Sequence, residues 1–246
     1  MSENKETKLG VLGGVGPLAT IYFAELVIRL TDAAVDQEHV SMIILNHAAI
    51  HDRTNYILDP NEPNPLPQMA DDAKTLEKAG ADYIVIPCNT AHYFYDEIQS
   101  AVDVKIINII EETVLHIKNT IPDAKKVGIL ATKGTLSSGS YQNMLKKHGL
   151  DFDVPDYADT EALMEIIYGQ VKAGKTVDIE SFWRIINNLK RRGCDCVVLG
   201  CTELSVIYRD YSIADETIVD SLVTLAKKSI ELCGKKIKQN IRSVKL

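Results

Sequence analysis

Two cysteines occupy equivalent positions in an internal sequence repeat, and they are the residues best suited to chemistry. The segment AGADYIVIPCNT at 79–90 resembles RGCDCVVLGCTE at 192–203, so that Cys88 aligns with Cys201. Each cysteine follows an apolar run that is typical of a buried strand, and each precedes a polar pair. Because ligands bind at the carboxyl ends of strands in open α/β sheets, we expect both thiols at a ligand site.

A matched pair of thiols on opposite faces of a carbon atom suits racemisation. One thiolate can remove a proton from one face while the other thiol returns a proton to the opposite face, and this needs no cofactor. A helix is predicted directly after each cysteine, and its positive end would lower the pKa of the thiol. A packing role remains the alternative explanation for a buried cysteine. That role is predicted for Cys194, Cys196 and Cys233, and the spacing of a structural zinc site is absent.

A second repeated motif extends the internal similarity along the chain. KLGVLGGVGP at 8–17 resembles KVGILATKGT at 126–135, in the same order and at nearly the same spacing as the cysteine segments. Strand-like apolar runs alternate with helical periodicity, which predicts mainly parallel sheets flanked by helices. The predicted fold is α/β, with two pseudo-symmetric three-layer lobes and an active site in the cleft between them. The first lobe is predicted over 1–119 plus 210–246 and the second over 120–209.

The composition and net charge of the chain argue against some classes of binding partner. The chain has 246 residues, of which 46% are hydrophobic and 25% are charged, and its formal net charge is −7. This acidic balance argues against nucleic-acid and membrane-surface partners. The polar start of the chain, MSENKETK, has no apolar signal core, and five cysteines without a CxxC pair indicate a reduced, cytoplasmic protein. Residues 51–67 are rich in Asn, Asp and Pro and are predicted to form a long loop.

The chain resembles the Asp/Glu/hydantoin racemase superfamily, and within it the aspartate racemases. The matching stretches are GGVGPLAT at 13–20, HDRT at 51–54, PCNTAH at 87–92, VKAGK at 171–175 and GCTEL at 200–204. The resemblance implies a cofactor-independent isomerase, usually a homodimer, that interconverts the enantiomers of aspartate, of glutamate or of a broader set of amino acids. Val15 departs from the methionine that is more frequent in the glycine loop of the family, which affects the expected shape of the pocket.

The resemblance also implies roles for individual residues. Cys88 and Cys201 would be the two acid–base groups, and Arg53 and Lys172 would lie near the acidic groups of the substrate. A guanidinium group can bind a carboxylate through two parallel hydrogen bonds, which suits a dicarboxylic substrate. The expected substrate-binding residues are Gly14, Val15, Arg53, Asn89, Thr90, Thr132, Thr135, Lys172 and Thr202, and no metal ligand is expected.

Other functions of the same scaffold are also compatible with the sequence. Hydantoin racemisation and maleate cis–trans isomerisation are alternatives, and the latter also uses two cysteines. Arylmalonate decarboxylation is less favoured, because a single cysteine would suffice for it. A non-catalytic sensor of acidic metabolites is the alternative from a different class, although a sensor would not require both thiols. His51 and His92 could support the site, but ordinary hydrogen-bonded histidines are expected there.

Overall fold

Each half of the chain builds a four-stranded parallel sheet, and the two sheets have the same strand order. The computed structural model describes residues 6–239. The strands are β1 (Lys8–Gly13), β2 (Ser41–Asn46), β3 (Tyr83–Val85), β4 (Lys105–Ile107), β5 (Lys126–Leu130), β6 (Asp151–Asp153), β7 (Cys196–Leu199) and β8 (Ile218–Asp220). The order is β2-β1-β3-β4 in the first sheet and β6-β5-β7-β8 in the second. The predicted α/β fold with two similar lobes is therefore confirmed.

Helices follow the strands and cover the sheets. They are α1 (Pro17–Leu30), α2 (Arg53–Leu58), α3 (Leu66–Lys78), α4 (Tyr95–Ser100), α5 (Ile109–Thr120), α6 (Lys133–Ser138), α7 (Ser140–Lys147), α8 (Tyr157–Met164), α9 (Ile179–Arg191), α10 (Thr202–Asp210) and α11 (Ser221–Leu232). Short 3-10 helices span Asp36–Glu38 and Thr90–Phe94, and α8 continues into a π-helical turn, Glu165–Val171. Among residues 6–239, no helix combines the length and the apolar character needed to cross a bilayer.

Apolar side chains on both faces of the central strands explain the layered packing. Leu9 and Val11 of β1 and Val197 of β7 are completely buried, as expected for parallel strands covered by helices on both sides. One continuous apolar core joins the two sheets through α1, α5 and α11. In each sheet the chain reverses its direction of winding beside the first strand, and ligands bind in the crevice at such a point.

The stretch 51–67, predicted to be a loop, contains a short helix. Asp52 caps α2, because its carboxylate accepts a hydrogen bond from the backbone N–H of Asn55 at 3.0 Å. The prediction of an uninterrupted loop was wrong, since the Asn, Asp and Pro content reflects a helix cap and the turn that follows it. The apolar run 104–110 is divided between β4 and α5 by the cap residue Asn108.

The segment after residue 210 contributes to both lobes, whereas it was predicted to belong to the first lobe alone. β8 pairs in parallel with β7 and so completes the second sheet, whereas the predicted first lobe included residues 210–246. α11 then packs against α1 of the first half and against α5. The pair β8 and α11 corresponds to β4 and α5, and the helices are capped by Asp220 and Asn108. The repeat therefore extends beyond residue 210, where no counterpart was expected.

A close contact between α2 and α6 holds the two lobes together. Gly134 of α6 lies against Thr54 of α2, and a Cβ atom at position 134 would come within 2.8 Å of the Thr54 Cα atom. Real Cβ atoms do not approach a backbone atom so closely, so a larger residue would push the two helices apart. The glycine at this position sets how closely the lobes approach.

We predict that Gly134→Ala destabilises the protein by about 1–3 kcal/mol, because the added methyl group overpacks the contact between the lobes. Without that contact, alanine would stabilise the helix relative to glycine. Urea denaturation measures the difference. Ser137→Ala is the matched control in the same helix, because Ser137 is exposed. Equal free energies of unfolding for the two variants would contradict the prediction.

Candidate active site

A nearly closed cavity lies in the cleft, at the carboxyl ends of the strands of both sheets. Its lining comes from both halves of the chain: Val15, Asp52, Arg53, Thr54, Cys88, Asn89, Thr90, Thr132, Tyr168, Lys172, Cys201, Thr202 and Glu203. Its volume is about 10 Å³, which is room for roughly one water molecule. We call it the cysteine cavity. A substrate must therefore enter while the lobes are further apart than they are here.

Both cysteines line this cavity, and each follows the equivalent strand of its sheet. Cys88 follows β3, and Cys201 occupies the cap position of α10 directly after β7. Both side chains are buried. The repeat thus brings the two thiols from separate sheets to one enclosed space.

The backbone at Cys88 is fixed by a buried histidine. The Nδ1 atom of His92 lies 2.8 Å from the carbonyl oxygen of Cys88, and its Nε2 atom accepts a hydrogen bond from the N–H of Ile109 at 3.2 Å. This pattern assigns the proton to Nδ1. Burial lowers the pKa of His92 to about 4, so the ring stays neutral. The expectation of an ordinary hydrogen-bonded histidine is confirmed at this position.

Arg53 brings a buried positive charge to the cavity beside Cys88. Its Nη1 atom donates to the carbonyl oxygen of His51 at 3.0 Å, whereas its buried Nε atom has no hydrogen-bond partner. Burial lowers the pKa of Arg53, but the negative charges of Cys88, Asp52 and other neighbours outweigh this effect and raise it overall. A buried guanidinium group with an unused donor is suited to an anionic ligand.

Cys201 has a different electrostatic environment. Its Sγ atom donates a hydrogen bond to the Oε2 atom of Glu203 at 3.0 Å. Burial raises the pKa of the Cys201 thiol well above its usual range, and the charge and hydrogen bond of Glu203 raise it further. The expectation that the helix end lowers the thiol pKa was therefore wrong for Cys201, because desolvation and a neighbouring carboxylate outweigh the helix dipole. The helix after Cys88 begins with a 3-10 turn rather than a regular α-helical turn.

Lys172 connects the two lobes through ion pairs at the edge of the cavity. Its Nζ atom lies 3.8 Å from Oε1 of Glu203 and 4.0 Å from Oδ2 of Asp52. It also lies 4.0 Å from the ring centroid of Tyr168, whose hydroxyl group donates to Asp52 at 3.3 Å. Burial raises the pKa of Tyr168 to about 12, so its hydroxyl keeps its proton. The π-helical turn carries Tyr168, and Lys172 directly follows that turn; π-helical turns often occur at functional sites.

Four threonine hydroxyl groups form a hydrogen-bonded cluster across the cleft. Thr90 of the first lobe lies 3.0 Å from Thr132 and 2.8 Å from Thr135 of the second, measured between Oγ1 atoms. Thr54 adds a hydrogen bond to Thr132 at 3.3 Å. These hydroxyl groups join the lobes, although the sequence predicted three of them as contacts of the substrate.

Asn89 also joins the lobes. Its Oδ1 atom accepts a hydrogen bond from the hydroxyl group of Tyr141 at 2.7 Å, and its Nδ2 atom donates to Ser221 at 3.0 Å. The amide still lines the cysteine cavity. Its orientation is therefore set by the second lobe before a substrate binds.

Two of the predicted binding residues do not line the cysteine cavity. The N–H of Gly14 donates to the hydroxyl group of Thr20 at 3.0 Å, so it is not available to a substrate carboxylate. Thr135 lies behind Thr90 and Thr132 in the threonine cluster. The other seven predicted binding residues line the cavity with the two cysteines.

Four further residues of the lining were not predicted as site residues. Asp52 and Glu203 lie within the HDRT and GCTEL motifs, beside residues that were singled out. Tyr168 precedes Lys172 by one helical turn, and Thr54 belongs to HDRT. The three cysteines predicted to pack are buried in the apolar core, and burial raises the pKa of Cys196 to about 12 and that of Cys233 to about 11. Within residues 6–239, no cluster of three or more His, Cys, Asp or Glu could hold a metal ion.

A second, larger cavity adjoins the cysteine cavity, and we call it the vestibule. Its volume is about 440 Å³. The residues lining it are Gly14, Gly16, Pro17, Leu18, Ala19, Ala48, Ile50, Asp52, Arg53, Val171, Lys172, Gly174, Glu203 and Val206. Four charged side chains line both cavities and so separate them: Asp52, Arg53, Lys172 and Glu203.

The fold agrees with the comparisons to known proteins. A family model described as Asp/Glu/hydantoin racemase matches residues 12–228. The chain is 30% identical over 228 residues to the broad specificity amino-acid racemase RacX of Bacillus subtilis (strain 168), covering 90% of this chain and 96% of the relative. The chain belongs to the Asp/Glu/hydantoin racemase family, and as a racemase it is an isomerase.

Solved structures resemble the whole chain. The aspartate racemase of Picrophilus torridus superposes with a TM-score of 0.82 at 31% identity, covering 98% of this chain and 100% of that one. An aspartate racemase homologue from Pyrococcus horikoshii OT3 gives a TM-score of 0.74 at 28% identity, with coverages of 93% and 99%. Both likenesses extend over the two lobes and the cleft.

We predict that Glu203→Gln lowers the pH at which Cys201 becomes reactive. The substitution removes a negative charge and a carboxylate acceptor that both raise the thiol pKa, whereas the burial of Cys201 remains. Iodoacetamide should therefore alkylate Cys201 several-fold faster at pH 8 in the variant, as measured by mass spectrometry of the Cys201 peptide. Glu62→Gln is the control, because Glu62 is exposed and the change in net charge is the same. An unchanged or slower alkylation of Cys201 would contradict the prediction.

Proposed function

We propose that the chain interconverts L- and D-aspartate without a cofactor, with Cys88 and Cys201 as the two acid–base groups. The observation that carries the proposal is that one thiol from each lobe lines the same enclosed cavity. Aspartate as substrate is supported by the similarity over the whole chain to an enzyme described as an aspartate racemase. The buried guanidinium group of Arg53, with its unused Nε donor, supports an anionic substrate.

The reaction consists of two proton transfers on opposite faces of the α-carbon. The thiolate of one cysteine takes the α-proton and becomes a thiol, while the electrons of the C–H bond move into the α-carbon and its carboxylate. The thiol of the other cysteine then donates its proton to the opposite face and becomes a thiolate. The two cysteines exchange protonation states in each turnover, and the reverse reaction starts from the exchanged state.

Arg53 stabilises the charge that develops during the first transfer. Negative charge accumulates on the substrate carboxylate as the α-proton leaves, and a preorganised donor aimed at that carboxylate lowers the barrier. Its position beside Cys88 also places a positive charge near the thiolate form of that residue. The cavity is almost closed, so little water competes with these interactions.

Glu203 and Lys172 set the protonation of the second cysteine. The hydrogen bond to Glu203 keeps Cys201 in its thiol form, whereas the positive charge of Lys172 acts in the opposite direction and lowers the pKa of the thiol. The direction of the reaction in which Cys201 acts as the acid therefore starts from the protonation state that this hydrogen bond favours.

The range of substrates and the oligomeric state belong to the same proposal. The relative from Bacillus subtilis is described as having broad specificity, which supports activity on glutamate or other amino acids in addition to aspartate. The homodimer expected from the family resemblance stays a prediction. Ile21 and Ile28 expose about half of their side-chain surface on the outer face of α1, which suits contact with a second copy.

We predict that Cys88→Ser and Cys201→Ser each lower the rate of aspartate racemisation by at least about 100-fold, because each removes one of the two acid–base thiols and a serine hydroxyl is a far weaker acid. The rate is measured from the loss of optical rotation of L-aspartate with no added cofactor. Cys233→Ser is the matched control, because Cys233 is buried in the core away from the cysteine cavity. Circular dichroism confirms that each variant is folded.

Near-complete activity in either cavity variant would refute the two-base mechanism. If the unaltered protein binds aspartate without changing its optical rotation, the sensor function becomes the better explanation. If neither aspartate nor glutamate is racemised or bound, the proposed substrate is wrong.

A further inference from the structure

We propose that the vestibule takes up the side chains of neutral, apolar amino acids, such as methionine and leucine, so that the enzyme racemises these as well as aspartate. The inference rests on the proposed racemase function and specifies a second class of substrate for the same cysteines.

The size of the two cavities is the first argument. The cysteine cavity of about 10 Å³ holds no amino acid, so a substrate requires the cleft to widen. The vestibule of about 440 Å³ lies on the other side of four shared side chains. A volume of this order is typical of pockets that bury small organic molecules. Widening at the shared side chains joins the two spaces, and an α-carbon held between the thiols can then extend its side chain into the vestibule.

The boundary between the cavities is of a kind that can open. Lys172 lies 3.8 Å from Glu203 and 4.0 Å from Asp52, which are long distances for ion pairs. The Lys172 and Asp52 side chains each keep more than a quarter of their surface exposed, so water can replace the contact between them at little cost. A side chain can therefore pass between Lys172 and Asp52 without breaking a buried, well-formed ion pair.

The lining of the vestibule matches an apolar ligand. Beyond the four shared charged residues, its wall is formed mainly by apolar side chains: Pro17, Leu18, Ala19, Ile50, Val171 and Val206. Burial of an apolar side chain against such a wall is favourable in proportion to the area removed from water. The side chains of these six residues offer no hydrogen-bond donor to a carboxylate.

The charges of the shared residues favour the same conclusion. Lys172 already faces two carboxylates, those of Asp52 and Glu203. The Nε donor of Arg53 has no hydrogen-bond partner, and it can donate to the α-carboxylate of any amino acid. Because these two carboxylates already neutralise the charge of Lys172, a second carboxylate on the substrate adds little binding free energy. A substrate with a neutral side chain therefore binds almost as well.

Two variants at neighbouring positions test the inference. Ala48 lines the vestibule and Ala49 does not, and both are exposed residues of the same turn, so neither substitution disturbs the core. Ala48→Trp places an indole ring in the vestibule, whereas Ala49→Trp adds the same ring outside it. The measurement is proton NMR in D₂O of the loss of the α-proton signal from L-methionine and, separately, from L-aspartate.

We expect the unaltered enzyme to exchange the α-proton of L-methionine as well as that of L-aspartate. Ala48→Trp should lower the ratio of the methionine rate to the aspartate rate by about tenfold or more, the range over which filling an apolar pocket changes specificity. Ala49→Trp should leave this ratio within about twofold.

Each other outcome has a distinct meaning. Exchange of aspartate without exchange of methionine would overturn the inference and leave the proposed racemase function intact. Exchange of both amino acids with an unchanged ratio in Ala48→Trp would also overturn it, because the vestibule would then not hold the side chain. Exchange of neither amino acid would overturn the proposed function and this inference with it.

Discussion

The approach of the two lobes is the constraint on which the rest of the structure depends. Cys88 and Cys201 follow strands of different sheets, so only the packing between the halves brings them to one cavity. That packing uses small and polar contacts rather than large apolar ones at the cleft itself. Gly134 allows α6 to lie directly against α2, and the threonine cluster joins α2 and the 3-10 helix Thr90–Phe94 to the start of α6. Contacts of this kind can separate and re-form, and a closed cavity of about 10 Å³ requires that they do so.

The two halves share a backbone plan but differ in the charges beside their cysteines. A guanidinium group, that of Arg53, lies near Cys88, and a carboxylate, that of Glu203, binds the thiol of Cys201. A symmetric repeat has therefore produced two cysteines with different electrostatic surroundings. This asymmetry suits a reaction in which one group must be charged while the other is neutral, since two thiolates or two thiols would transfer no net proton between the faces.

Much of the architecture could be predicted from the sequence, because the repeat carries it. The two equivalent cysteines identified the ends of β3 and β7, and the alternation of apolar runs with helical periodicity predicted the parallel sheets. The short fourth strand β8 and the helix α11 were not recognised as part of the repeat, because three strand residues give almost no periodic signal. α2 was missed because Asp52 and its polar neighbours are typical of loops as well as of helix caps.

The electrostatics of the site could not be predicted in the same way. The pKa of Cys201 depends on its burial and on the position of the Glu203 carboxylate, and neither follows from the local helix signal that the sequence offers. Asp52 meets Tyr168 and Lys172 only because segments more than a hundred residues apart in sequence converge at the cleft. Contacts between segments that are distant in sequence cannot be predicted from local composition. Such contacts also determine which predicted binding residues face the cavity and which, like Thr135, lie behind it.

The central claim is that the two thiols act on opposite faces of one α-carbon, and the fate of deuterium tests it most directly. L-Aspartate is incubated with the enzyme in D₂O, and both enantiomers are isolated while little substrate has been consumed. We predict that the newly formed D-aspartate carries deuterium at the α-carbon while the remaining L-aspartate keeps its proton, because removal and delivery involve different thiols. Equal early appearance of deuterium in both enantiomers would contradict it, because that result requires a single group that exchanges with solvent and serves both faces.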